Sequence, residues 1–183
     1  MNELLLRRGM MNGAVNVAKA TLHPSSFDEV NSLYKSISET YPITNGYTGT
    51  ESDTFARIFT NTGAGAETKF YFKFDTSSIP NNAVIKSVVM KTKLTIQTAL
   101  TTAIATRNQQ VCVGTTEKGA TTIFNTTVVT RTLDTGAGGW SLSDLANISL
   151  YLHVVRGTTN TATNFQIDFY GADLVIGYSL PET

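Results

Sequence analysis

The sequence predicts an all-β protein: an antiparallel β-sandwich, jelly-roll-like, with an extended N-terminal arm. Three observations carry this expectation. Apolar residues recur with a period of two from about Thr54 to Tyr178, the spacing of a strand with one buried side. Clusters of Gly, Asn, Asp, Ser and Pro cut these runs into about eight short strands, as a sandwich requires. Threonine takes the place of charge: only 15% of the 183 residues are charged, against roughly 25% in ordinary soluble domains. Thr101-Thr102, Thr115-Thr116, Thr121-Thr122, Thr126-Thr127 and Thr158-Thr159 supply β-branched, hydrogen-bonding side chains suited to the wet face of a sheet.

Length and chemistry point to one domain with an appended arm. Residues 1–40 read as the arm or anchor and 41–183 as the sandwich. Before Pro24 there is no strand alternation, and Gly9 and Gly13 interrupt any helix. Leu4, Leu5, Leu6, Arg7, Arg8, Met10 and Met11 form a candidate attachment arm, because free apolar residues cost solubility unless a neighbouring subunit covers them. Leu4-Leu5-Leu6 is too short for the core of a secretory signal and precedes its arginines. In residues 25–39, Ser26-x-x-Glu29 is a capping box, and Phe27, Val30, Leu33, Tyr34 and Ile37 follow helical spacing, so a short helix is expected there.

The strands follow in order. Phe70, Phe72 and Phe74 alternate with Lys69, Tyr71 and Lys73, and Asp75-Thr-Ser-Ser-Ile-Pro80-Asn-Asn82 ends that strand in a turn. Val88, Met90, Thr92, Leu94 and Ile96 make one face of the next. Shorter runs at Gln109–Gly114 and Thr126–Thr132 are separated by Thr-Glu-Lys-Gly119. Ile148, Leu150, Leu152 and Val154 alternate with Ser149, Tyr151, His153 and Val155; Phe165, Ile167 and Phe169 begin the last strand. Gly171-Ala-Asp173 should break or bulge it before Leu174, Ile176 and Tyr178 resume.

Catalytic signals are sparse, and no enzyme is expected. The histidines are His23 and His153 and the one cysteine is Cys112; they cannot assemble the usual zinc ligand sets, so no metal or cofactor is expected. No serine sits in G-x-S-x-G. Carboxylates able to pair for glycoside cleavage would come from Glu67, Asp75, Glu117, Asp134, Asp144, Asp168 and Asp173, most of them beside turn residues where Asp caps amides. Cys112, between valines, reads as a core thiol. Gly63-Ala-Gly65-Ala and Gly136-Ala-Gly138-Gly139 complete no phosphate-binding fingerprint. Lys+Arg and Asp+Glu are both 14, a balance that gives no pull toward nucleic acid. No segment is apolar enough for membrane insertion. Trp140 and Tyr151, with Tyr71 and Tyr170, are candidate glycan contacts, since exposed rings stack on pyranose faces. A competing reading makes Trp140-Ser-Leu142-Ser-Asp144-Leu145 a capped turn that closes one end of the sandwich.

The stretch Lys69-Phe-Tyr-Phe-Lys-Phe-Asp-Thr-Ser-Ser-Ile-Pro-Asn-Asn-Ala-Val-Ile-Lys-Ser-Val89 resembles a pattern of virion proteins from phages and prophages of Gram-positive hosts. Val113-Gly-Thr-Thr-Glu-Lys-Gly119, Trp140-Ser-Leu-Ser-Asp-Leu, Arg156-Gly-Thr-Thr-Asn160 and Phe169-Tyr-Gly-Ala-Asp-Leu-Val175 look like further landmarks of that group, in the same order. The resemblance implies a jelly-roll virion module without catalytic residues, made in the host cytoplasm and resident in the virion. A chain that is little more than the module and an arm suggests a capsid decoration or head-fibre subunit. The alternative is a tail-fibre or baseplate module that recognises host-surface carbohydrate. Its expected partners are other virion proteins, further copies of itself as a homo-oligomer and host-surface glycan.

Overall fold

The computed structural model describes residues 17–30, 38, 40–59, 64–96, 104–123, 125–157 and 166–181. The candidate arm residues Leu4 to Met11 lie outside the described residues. What is described is an all-β sandwich of two five-stranded antiparallel sheets. The strands are β1 (Ala18–Leu22), β2 (Pro24–Val30), β3 (Ala56–Phe59), β4 (Glu67–Phe74), β5 (Val84–Ile96), β6 (Ile104–Val113), β7 (Thr116–Ile123), β8 (Val129–Leu133), β9 (Ile148–Arg156) and β10 (Gln166–Ser179); one short helix, α1, spans Leu142–Leu145.

From β3 to β10 the first sheet runs β3-β10-β5-β8 and the second β4-β9-β6-β7. Successive strands change sheet at every step except the β6–β7 hairpin, which is the winding of a jelly roll. β1 and β2 are added to it. β1 pairs with the far half of β10, and β2 pairs with β4 on the opposite sheet. The two strands meet at His23, so one short segment clasps both sheets along the same side.

The helix expected over 25–39 is therefore corrected over its first part, and the sandwich takes in residues that the sequence assigned to the arm. Phe27 faces Phe72 across the β2–β4 pair and packs its ring on Phe70 and Phe72 at 5.7 and 5.0 Å. Asp28 faces outward beside Lys73. Edge pairing with β4 satisfies the backbone of β2 and buries Phe27, and this outweighs a capping motif that is worth only about 1 kcal/mol.

The core lies between the sheets. Phe70, Phe72, Leu150, Leu152 and Val154 are fully buried on one side, and Met90, Ile167, Phe169, Leu174 and Ile176 on the other. Phe72 and Phe169 stack across the gap with centroids 4.0 Å apart. Among the described residues a polar link crosses it: Thr92 donates its hydroxyl to Gln109 Oε1 at 2.6 Å, both residues being buried. The Asp75 turn forms as expected, with Ser77 N donating to the Asp75 carboxylate at 2.9 Å and Ile79 buried beneath it. β7 is a correction: Thr116-Glu-Lys-Gly119, read as a break between strands, lies within it. As an edge strand with both faces wet, β7 lacks the alternation that would have marked it.

β10 changes the residues it buries partway along. Phe169 pairs with Leu94 and Gly171 with Lys93, leaving Tyr170 as an extra residue in a bulge. Ile167 and Phe169 point inward before it, and Ala172, Leu174 and Ile176 after it. Gly171 has φ +150, and a Cβ there would overlap the Thr48 carbonyl oxygen. That close approach lets Thr48 accept from Ala172 N at 3.1 Å and donate its hydroxyl to Tyr170 O at 2.9 Å.

Gly171→Val should therefore lower stability by about 2 kcal/mol or more, through backbone strain and the clash with Thr48. Urea unfolding followed by circular dichroism measures this; an unchanged midpoint would show that the 42–50 segment does not depend on the bulge.

Candidate functional site

The two outer faces of the sandwich differ. Along the edge of β10, between the stretches paired with β3 and β1, lies the segment 40–55, which includes a 3-10 turn at Ile43–Gly46 and turns Tyr41, Ser52 and Phe55 onto the outer face of that sheet. Gly46 fits directly against the Phe169 ring, where a Cβ would lie 2.6 Å from it. Tyr41 stacks on Phe55 at 4.6 Å, and Phe55 packs on Tyr170 at 5.2 Å. Arg57 lies beneath the Tyr41 and Phe55 rings and binds Asp168 through two parallel hydrogen bonds of 2.7 and 2.8 Å. This fork raises the Arg57 pKa. Lys93 reaches over Tyr170 to donate to Ser52 O at 2.8 Å. Tyr170, a candidate glycan contact, is thus part of this covered layer.

Over the β4-β9-β6 sheet no described segment lies in the same way. Strand register arranges its outward residues in rows. One row is Ser26, Lys73, Ser149, Cys112 and Glu117; the next is Asp28, Tyr71, Tyr151 and Gln110; the third is Val30, Lys69, His153 and Asn108. Tyr71 and Tyr151 stack at 4.9 Å, and Tyr151 stacks on His153 at 5.7 Å, forming a ladder of rings. His153 Nε2 lies 2.7 Å from Glu67 Oε1, and Lys69 pairs with the same oxygen at 3.0 Å. These contacts, Lys69 foremost, hold the Glu67 carboxyl below its ordinary pKa.

Tyr151 is only 5% exposed, and burial raises its pKa strongly, with help from Tyr71. Its ring therefore packs on its neighbours and leaves little surface for a sugar. Trp140 takes the capped-turn alternative. It packs against the core beside α1, and Lys118 Nζ lies 5.9 Å from its ring centroid. Ser141 and Asp144 form a reciprocal capping box at the start of α1, and Leu145 is buried below.

Cys112 is buried, as expected, but it belongs to this outer face and not to the core between the sheets. Burial, and secondarily Glu117, pushes its pKa up to about 12. The carboxylates weighed for catalysis are mostly engaged in holding the fold. Asp75 accepts from Ser77 N, Asp134 from Ala120 N and Gly136 N at 2.8 Å each, and Asp144 from Ser141 N at 2.9 Å. These bonds lower all three pKa values. Asp173 accepts from the Thr50 hydroxyl at 2.5 Å, with His23 Nδ1 3.3 Å away.

At one end of this outer face, between β2 and the β6–β7 turn, the surface of the described residues sinks into a groove of about 480 Å³. Asp28, Tyr71, Lys73, Thr115, Asn147 and Ser149 are among the residues that line it. Asp28 and Lys73 form an ion pair there, and the Ser149 hydroxyl is buried without a hydrogen-bond partner among the described residues. The sequence singled out only Tyr71 of this set as a sugar contact, because the others converge from three strands and two turns. Among the described residues there is no group of three or more His, Cys, Asp and Glu able to hold a metal ion, and no helix is long and apolar enough to cross a membrane.

With its pKa near 12, the folded Cys112 thiol should react with a disulfide reagent at pH 8 at least a hundredfold more slowly than in denaturant, since roughly a thousandfold less thiolate is present. A stopped-flow absorbance assay measures both rates; equal rates would show an open, reactive thiol.

Comparison with known proteins gives no match: no family model, no curated protein and no solved structure is similar to this chain.

Proposed function

We propose that the chain is a non-enzymatic structural module of a bacteriophage particle, a capsid decoration or head-fibre type subunit attached through its N-terminal residues. The observation that carries this reading is where the virion-like landmarks fall in the fold. Lys69–Val89 forms β4, its Asp75 turn and the start of β5. Trp140–Leu145 is the capped end piece, and Phe169–Val175 contains the bulge of β10. These three landmarks are joints of the sandwich, so the sequence features they carry serve architecture. The engaged carboxylates support the same role, because a general acid or base must keep a proton site free for substrate.

The attachment segment is shorter than the arm of residues 1–40 expected from the sequence, since β1 and β2 belong to the sheets. Ala18–Leu22 is a strand of the first sheet, so only the residues before Val17 are available to reach a neighbour. Val17 precedes β1 at the sheet edge, beside the Tyr178 end of β10. A chain extending from a sheet edge can dock by strand addition or by filling an apolar groove, and Leu4, Leu5, Leu6, Met10 and Met11 supply the apolar contacts. Copies would occupy symmetric positions on the particle.

Deleting residues 1–16 should reduce incorporation into particles at least tenfold while the thermal unfolding of the module stays unchanged. Quantitative mass spectrometry of purified particles measures the incorporation. Full incorporation of the shortened chain would refute attachment through this segment.

A further inference from the structure

The exposed aliphatic side chains of the sandwich gather at the end of the first sheet where the chain enters it. We propose that this end, around Val17, Val84 and Leu180, is a docking surface for a partner protein whose apolar surface is edged by carboxylates. The inference rests on the structural role and adds to it the face of the sandwich that sits against the neighbour.

Val17, Val84 and Leu180 are 46%, 46% and 54% exposed. They are three of the six large hydrophobic residues exposed among the described residues, and register brings them together. Val84 pairs with Ser179, Leu180 follows Ser179, and Val17 precedes Ala18, the partner of Tyr178. Ile85 and Tyr178 pack inward against the core, so alternation turns their neighbours Val84 and Ser179 to the outer face. Val89 and Val175, a half-buried cross-strand pair between core residues, point the same way. Gly177 lies on the strand between Val17 and Val84, and a Cβ there would come within 3.3 Å of a Val17 methyl carbon. The missing side chain lets Val17 lean over the sheet toward the other aliphatic residues. Single exposed hydrophobic residues are ordinary on a surface, whereas a cluster of them marks a place that a partner covers.

Two observations choose the partner. Lys19 and Lys86 border the patch: Lys19 pairs with Gly177, and Lys86 is the extra residue where the β5–β10 register shifts between Gly177 and Tyr178. Both are exposed, and neither makes an ion pair among the described residues, whereas Lys69, Lys73 and Lys93 each do. Two uncompensated cations beside an apolar surface repel a second copy brought up by the same face, and they fit a partner that carries Asp or Glu around its own apolar surface. The second observation is continuity with the chain that precedes Val17. Residues 1–16 hold the same combination, with Leu4, Leu5, Leu6, Met10 and Met11 beside Arg7 and Arg8. Segment and patch therefore make one chemical demand, and a neighbour that receives the first is placed to meet the second.

The test uses particles assembled with the full chain and treated with a carbodiimide, which joins amines to carboxylates in direct contact, before digestion and mass spectrometry. The expected links run from Lys19 or Lys86 to Asp or Glu of a different particle protein. Val84→Asp and Leu180→Asp should each lower incorporation about tenfold or more with an unchanged melting temperature, and so should Lys19→Glu combined with Lys86→Glu. Ile123→Asp, at an exposed apolar residue of the other sheet, should leave incorporation intact. If an aspartate variant fails to fold, the lysine variant and the links decide. The absence of any link from these lysines to another particle protein, or full incorporation of the patch variants, would overturn the docking surface. The unaltered chain separates the two readings: its absence from particles would overturn the structural role and the surface together, while its presence beside equally well incorporated patch variants would overturn the surface alone.

Discussion

Strand β10 holds one sheet together, bonding to β5 along one side and to β3 and β1 in turn along the other. Fourteen residues of strict alternation would not suit its sequence, because Phe169 and Leu174 fall on opposite parities. The bulge at Tyr170 resolves the conflict. By absorbing one residue it turns both halves inward, where a shift of register by one would have exposed half of the strand's apolar side chains. The Phe72–Phe169 stack and the burial of Ala172, Leu174 and Ile176 all depend on that one extra residue.

The same bulge seats a described segment against the first sheet. It places Tyr170 and Gly171 together on the outer side, and the missing Cβ of Gly171 lets the Thr48 backbone come into hydrogen-bond contact with β10. The 40–55 segment is thereby seated along the edge of β10, with Arg57 and Asp168 paired under the aromatic rings of Tyr41 and Phe55 on the outer side. The second sheet has no equivalent bulge in its central strand β9. Its outer residues pair instead with one another, ring on ring and carboxylate on cation, and the relief left at one end is the groove. Charge-assisted contacts of this partly exposed kind contribute modestly to stability; their larger effect is to fix side chains in place.

Much of the fold was legible because a half-buried strand writes its burial into every second residue. Phe70, Phe72 and Phe74, the even residues from Val88 to Ile96, and the even residues from Ile148 to Val154 were all read correctly on that ground. The Asp75 turn and the Ser141–Asp144 cap were legible because their hydrogen bonds join residues two or three apart. β2 was not, since Ser26-x-x-Glu29 satisfies a local helix signal while the partner that makes it a strand, β4, lies some forty residues away. Of the candidate site only Tyr71 was visible. The outward alternation of Tyr151 was right, but its burial by Tyr71 and His153 depends on cross-strand register, which periodicity does not specify.

Local chemistry alone therefore determined that this chain forms strands, where most of them turn, and which side of each is apolar. These properties depend on residues within one strand or turn and need no knowledge of the neighbours. Tertiary structure decided the winding of the sheets, the clasp made by β1 and β2, and the seating of the 40–55 segment along β10. It also decided that Asp28, Tyr71, Lys73, Asn147 and Ser149 share one groove. Those outcomes are set by pairing between strands distant in sequence, where the free energy gained comes from burying side chains against partners that the local sequence does not name.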